Sequence, residues 1–179
     1  DGMKPDDVTF TNVLTTCSHA GELHEGCWFF TCMREDHDIT PSIEHYSCLV
    51  DLLSRMGCLE DAEDLLQSIP IHPDLVIWMS LLTSCKLYGN KDIGERCFGY
   101  SQQLDPKDAS SYVLMSDIYI DTSMWVDVQR ILQLKTKTEM QRTGVKEMKT
   151  KDYEFQGEDD EYPQLDQIEV LLGQLGKTW

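Results

Sequence analysis

Prolines and glycines recur along this chain at a nearly constant interval. The prolines that mark the interval lie 36, 32 and 33 residues apart: Pro5, Pro41, Pro73 and Pro106. Glycines run in phase with them at 36 and 32 residues: Gly21, Gly57 and Gly89. A period near 34 is typical of stacked helical hairpins, in which no single unit can bury its own apolar face. The interval therefore restricts the chain to a repeat architecture.

Each period has the same internal order: a Pro-polar turn, an apolar helix, a Gly-containing turn and a second helix. The first period gives KPDDVTFTNVLTTCSHAG and then ELHEGCWFFTCMRE, with apolar residues at helical intervals. Those residues are Val8, Leu14 and Cys17, then Leu23, Trp28 and Met33. Later periods repeat the pattern, and the apolar residues of the third include Leu104. In the fourth period Ser123 replaces the turn glycine. The second helix of that period has no helix-breaking residue before Gly144. We expect an all-α, right-handed α-solenoid of helix-turn-helix repeats, with a short irregular or helical C-terminal extension and a concave surface lined by the first helices.

Charge is distributed unevenly. Net charge is −17, and residues 1–74 carry 15 acidic and 3 basic residues, 75–151 carry 9 and 11, and 152–179 carry 8 and 1. Strong binding to phosphates needs clustered Lys and Arg, so we expect little nucleic-acid affinity from this chain alone.

We expect the seven cysteines to be mostly core-facing free thiols of a reducing compartment: Cys17, Cys27, Cys32, Cys48, Cys58, Cys85 and Cys97.

The repeat text resembles a known family. The period of 36 then 32, with KPDDVTFTNVLTTCSHAGELHEG and IEHYSCLVDLLSRMGCLEDAEDLLQSIPIHPD, is similar to the last long and short repeats of plant pentatricopeptide repeat proteins of the PLS class. LVIWMSLLTSCKLYGN and SYVLMSDIYIDTSMW resemble the two extension (E) motifs, and KDYEFQGEDDEYPQLDQIEVLLGQL resembles the E+ segment. The resemblance implies these boundaries: 1–6 end of a truncated repeat, 7–42 long repeat, 43–74 short repeat, 75–108 and 109–147 E motifs, 148–179 E+-like tail.

The resemblance also implies RNA-binding residues. Pentatricopeptide repeats read single-stranded RNA one base per unit, in this family through the fifth and the last residue of a unit. Those pairs are Thr11 with Ser42 and Ser47 with Asp74, and Asp6 closes the truncated unit. A hydroxyl with a terminal Asp resembles the preference for guanine. The competing interpretation is that Thr11 and Ser47 are only small polar residues in the first turn of a helix.

Proteins with this C-terminal arrangement act in organelle RNA editing, so the resemblance implies selection of a cytidine for conversion to uridine. The deaminase chemistry needs a zinc-held water, with an H-x-E and a C-x-x-C motif. Neither motif occurs in this sequence. We therefore expect no catalysis, cofactor or metal here, a DYW-type deaminase supplied in trans, and multiple organellar RNA editing factor proteins as further partners. The resemblance implies a location in a mitochondrion or chloroplast. Because the chain begins at Asp1 without Met, we interpret it as a fragment lacking its targeting peptide. No apolar run is long enough to span a membrane.

The partner would bind at the tail. Tyr153, Phe155 and an amphipathic stripe are the candidates, because an apolar helix face on a short acidic segment needs a groove; the stripe is Ile168, Leu171, Leu172 and Leu175. Trp78 and Trp125 are expected in the core. One departure from the family is a short connector, EMKT, between Lys146 and Lys151.

A second function remains open. Tetratricopeptide-type solenoids have the same hairpins and a similar period, and bind proteins rather than RNA. The acidic first half of this chain favours such a scaffold, whereas the alternation of 36 and 32 residues favours an RNA reader.

Overall fold

The computed structural model describes residues 4–143, with side chains as far as Met140. Over that range it contains helices and no strand. The helices are α1 Asp7–Ala20, α2 Leu23–Glu35, α3 Ile43–Arg55, α4 Leu59–Ser68, α5 Leu75–Tyr88, α6 Lys91–Leu104, α7 Ala109–Asp121 and α8 Trp125–Thr143. They form four hairpins in chain order, which confirms the expected all-α repeat fold.

The turn glycines end the first helices. Gly21 and Gly89 cap α1 and α5 in the left-handed region, at φ 72° and 66°. Gly57 has φ 79° after α3, and in the fourth hairpin Ser123 has φ 59°. Glycine adopts this region without a steric penalty, whereas serine does so at a cost. Ser123 therefore takes the backbone conformation of the glycine it replaces, as the repeat phase predicts.

The first helices form an inner layer. Within each hairpin the two helices pack together, and α1, α3, α5 and α7 also pack directly on one another in sequence. Among the second helices of the described residues, only α4 and α6 touch. The second helices are thus spread apart on the outside, so the inner layer is the tighter one and the stack curves toward it.

The core lies between the layers and holds most of the predicted stripe residues. Leu14, Met33, Leu52 and Leu81 are fully buried. Trp78 is also buried, as expected, and stacks on Tyr100 with ring centroids 4.2 Å apart.

Four residues predicted to lie in apolar stripes are exposed, so their assignment to the core is wrong. Val8 is 59% exposed, Trp28 56%, Leu104 50% and Leu134, from the predicted stripe of the fourth hairpin, 42%. The face that α2 turns to its neighbours carries Gly26 and Phe30, both buried. Trp28 lies two residues from each, about 200° away around the helix, and therefore faces outward.

The cysteines are free, and the expectation of burial holds only in part. Cys17, Cys85 and Cys97 are buried, three others are half-buried, and Cys27 is exposed. Cys27 precedes Trp28 on the same outer side of α2, which explains the error.

Among the described residues, no helix combines the length and apolar character needed to cross a bilayer.

Candidate nucleic-acid interface

The fifth residues of the first helices form a column on the inner layer, here called the inner-face column. Its members are Thr11, Ser47, Met79 and Val113. All are half-buried, because each first helix packs against the next. The first two members bear hydroxyls, and the last two are apolar.

The last residue of each predicted unit is a helix N-cap. Asp6, Ser42, Asp74 and Asp108 immediately precede α1, α3, α5 and α7. Oδ1 of Asp74 accepts a hydrogen bond from the Ile77 amide at 3.0 Å. Asp6 accepts from the Thr9 amide at 2.8 Å, and the Thr9 hydroxyl and amide together lower the pKa of Asp6. A polar residue at these positions thus has a structural role in starting the helix, whatever else it does.

The structure brings Thr11 and Ser42 together through a residue that the sequence analysis did not single out. His45, the third residue of α3, is 1% exposed. Its Nε2 lies 3.2 Å from Thr11 Oγ1, and its Nδ1 lies 2.8 Å from Ser42 Oγ. The available signal was the S-x-x-H spacing, in which a polar residue three positions after an N-cap can reach back to it.

Ser47 and Asp74 are not joined by a hydrogen bond in the described part of the chain. The Ser47 hydroxyl donates to the Ile43 carbonyl at 2.8 Å and the residue is half-buried. Asp74 is exposed. Neither side chain lies in the packed interior.

A polar network continues along the inner layer from Asp51. Its carboxylate accepts from Ser18 of α1 at 2.5 Å and Ser80 of α5 at 3.3 Å. It also pairs with Arg55 at 2.7 Å. Asp51 therefore links three successive first helices. Since Arg55 already has an anionic partner, its charge is partly neutralised before any ligand arrives.

An ion pair joins the outer helices α4 and α6. Both carboxylate oxygens of the buried Glu63 accept from Arg96, at 2.6 Å each. This bidentate contact raises the pKa of Arg96. It couples the second hairpin to the third by a geometry that suits guanidinium and carboxylate closely.

A groove of about 240 Å³ lies between α6 and α8, and the Tyr119 hydroxyl donates to Glu95 beside it, at 3.0 Å. Burial, and then this bond, raise the pKa of Tyr119.

Across residues 4–140, no cluster of three or more His, Cys, Asp or Glu side chains is arranged to hold a metal ion. The predicted partner-binding residues Tyr153 and Phe155, and the stripe of Ile168, Leu171, Leu172 and Leu175, lie outside the described residues.

Three family models match the chain. A pentatricopeptide repeat domain model matches residues 1–56, a PPR repeat model matches 44–70, and an E motif model matches 88–149. The first two cover the first two hairpins, and the third covers α6 to α8.

The relatives that match include plant proteins. The chain is 38% identical to the chloroplastic pentatricopeptide repeat-containing protein CRR2 of Arabidopsis thaliana, over 99% of this chain and 27% of that protein. It is 36% identical to a pentatricopeptide repeat-containing protein of the same plant named as mitochondrial, over 98% of this chain and 29% of that protein. The chain thus spans less than a third of the length of these relatives.

The fold matches a solved structure. The crystal structure of the pentatricopeptide repeat protein PPR10 from maize superposes with a TM-score of 0.64 at 16% identity, over 79% of this chain and 21% of that one. At this sequence identity the match shows the fold alone. The repeat and E motif models, together with the plant relatives, show that the chain belongs to the pentatricopeptide repeat family and carries that family's E motif.

Proposed function

We propose that this chain is the C-terminal part of a PLS-class editing factor, which binds single-stranded organellar RNA in a sequence-specific way and selects a cytidine for conversion to uridine. The observation that carries the proposal is the change along the inner-face column. Its hydroxyl members, Thr11 and Ser47, belong to the hairpins that match repeat models. Its apolar members, Met79 and Val113, belong to the third and fourth hairpins, which hold the predicted E motifs. Base reading would thus stop where the repeats stop.

The pair of Ser47 and Asp74 is the better-placed reader. Capping of α5 occupies Oδ1 of Asp74, and an ionised carboxylate has about four lone-pair sites on its two oxygens. Oδ2 is therefore free to accept from the N1–H and exocyclic amino group of guanine. The Ser47 hydroxyl, with its hydrogen directed to Ile43, offers a second acceptor.

The small number of basic residues indicates that most of the RNA affinity comes from elsewhere in the intact protein. Residues 1–74 carry only 3 basic residues, and the Arg55 side chain is paired with Asp51. Each neutralised phosphate steepens the salt dependence of binding by about 0.7 for a single strand. We expect this stretch to add specificity for one or two bases and little to the salt dependence.

The E motif hairpins and the tail are the proposed docking region for a DYW-type deaminase acting in trans, with multiple organellar RNA editing factor proteins as further partners. An apolar inner-face column in these hairpins suits protein contact better than base reading, since an apolar side chain cannot satisfy the edge of a base. Tyr153, Phe155 and the apolar tail stripe remain the proposed contacts. The names of relatives as chloroplastic or mitochondrial support an organellar location.

Equilibrium binding of a fluorescently labelled RNA strand to the intact protein tests the RNA part. Ser47→Ala with Asp74→Ala should weaken binding to RNA that has guanine at one position, by about tenfold for two lost hydrogen bonds. Thr16→Ala is the matched control, because Thr16 is an exposed hydroxyl residue of α1 about 140° from the column. Absence of RNA binding by the intact protein would leave the acidic protein-binding scaffold as the function.

Reconstitution tests the recruitment part. The intact protein, a separately purified DYW-type deaminase and an RNA carrying the cytidine should together produce uridine, and omission of either protein should abolish conversion. Conversion by the deaminase alone at the same rate would contradict the proposed role.

A further inference from the structure

We propose that His45 is a specificity-determining positioning residue for the Thr11–Ser42 pair. It holds both hydroxyl hydrogens away from the inner face, so that the pair offers only acceptors and prefers guanine, which presents two adjacent donors, over the other three bases. The inference rests on the proposed RNA-binding function and deepens it.

The imidazole of His45 makes four polar contacts although it is 1% exposed. Nδ1 accepts from the Ser42 amide at 3.1 Å and lies 2.8 Å from the Ser42 hydroxyl. Nε2 lies 2.9 Å from the Asp7 carbonyl and 3.2 Å from the Thr11 hydroxyl. One buried ring therefore touches both members of the pair.

Two backbone groups fix the tautomer of the ring. The Ser42 amide can only donate, so Nδ1 must carry a lone pair. The Asp7 carbonyl can only accept, so Nε2 must carry the hydrogen. The hydrogen bonds to the backbone therefore place the ring hydrogen on Nε2.

The tautomer sets the direction of both hydroxyl groups. Because Nδ1 is an acceptor, the Ser42 hydroxyl donates its hydrogen to it and shares the single Nδ1 lone pair with the Ser42 amide. The Thr11 hydroxyl donates to the Asp7 carbonyl at 3.0 Å and accepts from Nε2–H. Each hydroxyl has then used its single hydrogen, and only oxygen lone pairs are left for a ligand.

A base facing two acceptors must supply donors. Guanine presents N1–H and an amino group side by side on its Watson–Crick edge, whereas adenine and cytosine each present one amino group next to a ring-nitrogen acceptor. Uracil presents one N–H between two carbonyl oxygens, which would face the hydroxyl lone pairs. Binding any base other than guanine therefore requires that a hydroxyl turn and give up its present bond, at a cost of about one hydrogen bond.

The arrangement distinguishes this pair from the other one described. The third residue of α5, which corresponds to His45, is Ile77, whose side chain has no polar atom. The pair of Ser47 and Asp74 is therefore not linked through it and serves as an internal reference in the same molecule.

A purely structural role is the alternative. His45 also ties the start of α1 to the start of α3 through Asp7, and that tie contributes to stability wherever RNA binds. The two roles differ in one observable: a structural tie affects affinity for all sequences equally, whereas a positioning role changes the base preferred at one position.

The experiment selects binders from a randomised single-stranded RNA library with the intact protein. Asp74→Asn first identifies the position that Ser47 and Asp74 read, and the neighbouring base on the side of the upstream repeats is then assigned to Thr11 and Ser42. His45→Phe keeps the ring shape and removes both nitrogens. Val50→Ala, a fully buried change in the same helix, controls for lost stability.

The intact protein should prefer guanine over the other three bases at the assigned position by about three- to tenfold, the equivalent of one hydrogen bond. In His45→Phe the bias should fall below about twofold at that position alone, and Val50→Ala should keep it. A bias that survives in His45→Phe overturns the inference. If His45→Phe does not fold, His45→Asn, which keeps an acceptor near the position of Nδ1 and loses the Thr11 contact, must change the same bias, and an unchanged bias overturns the inference. Failure of every variant and of the wild type to select any RNA refutes the proposed function instead.

Discussion

Replacing Arg96 by Met should destabilise the chain by leaving Glu63 buried without its partner. The Glu63 side chain is 7% exposed and both of its oxygens accept from Arg96 at 2.6 Å. Removing one partner of a fully buried pair costs about 3–5 kcal/mol. The Arg96 side chain is 50% exposed, so water can reach the carboxylate once the guanidinium is gone. We therefore expect a loss of about 2 kcal/mol, or about 6 °C in Tm.

Thermal and urea unfolding followed by circular dichroism at 222 nm measure this loss. Glu63→Leu combined with Arg96→Met is the matched control, because it removes both charges and leaves no orphaned carboxylate. The double variant should regain at least half of the stability lost in Arg96→Met. A single variant as stable as the wild type, or a double variant less stable than the single one, would refute the reasoning.

Three further predictions concern local structure. A Cβ on Gly26 would lie 2.3 Å from Leu52 Cδ2, whereas one on Gly94 would lie 3.0 Å from its nearest side chain. Gly26→Ala should therefore lower the urea midpoint, while Gly94→Ala should change it little or raise it. Ser123→Gly should raise the free energy of unfolding by about 1 kcal/mol in the same assay, since Ser123 has φ 59°; no gain would indicate a relaxed turn. The raised pKa of Tyr119 means that its contribution to stability is complete below the pKa of an unfolded tyrosine, about 10, and is lost as pH rises through the folded value. Stability should therefore fall more between pH 9 and 12 in the wild type than in Tyr119→Phe, and equal falls would contradict the shift.

The order of helices could be predicted because the period is carried by residues with local physical effects. Proline and the polar N-caps start helices, and Gly21 and Gly89 end them in the left-handed region. Such signals act within a few residues and need no tertiary information. Even the exception at Ser123 followed from the phase of the repeat.

Which face of a helix is buried was harder to predict. Trp28 and Val8 are apolar and fall near helical intervals, yet they are exposed because neighbouring hairpins approach other faces of α2 and α1. The link through His45 could not be predicted either, because it joins residues 34 positions apart in different hairpins. Periodicity identifies the inner face, but contacts across it depend on how closely two helices approach.

The most direct test of the account is a double-mutant cycle between the intact protein and its RNA. Binding is measured for the wild type and for Asp74→Asn against strands that carry each of the four bases at the position read by Ser47 and Asp74. We predict that Asp74→Asn weakens binding to guanine by about 1 kcal/mol or more and leaves binding to the other three bases nearly unchanged. An equal loss for all four bases would show that Asp74 only caps α5 and reads no base.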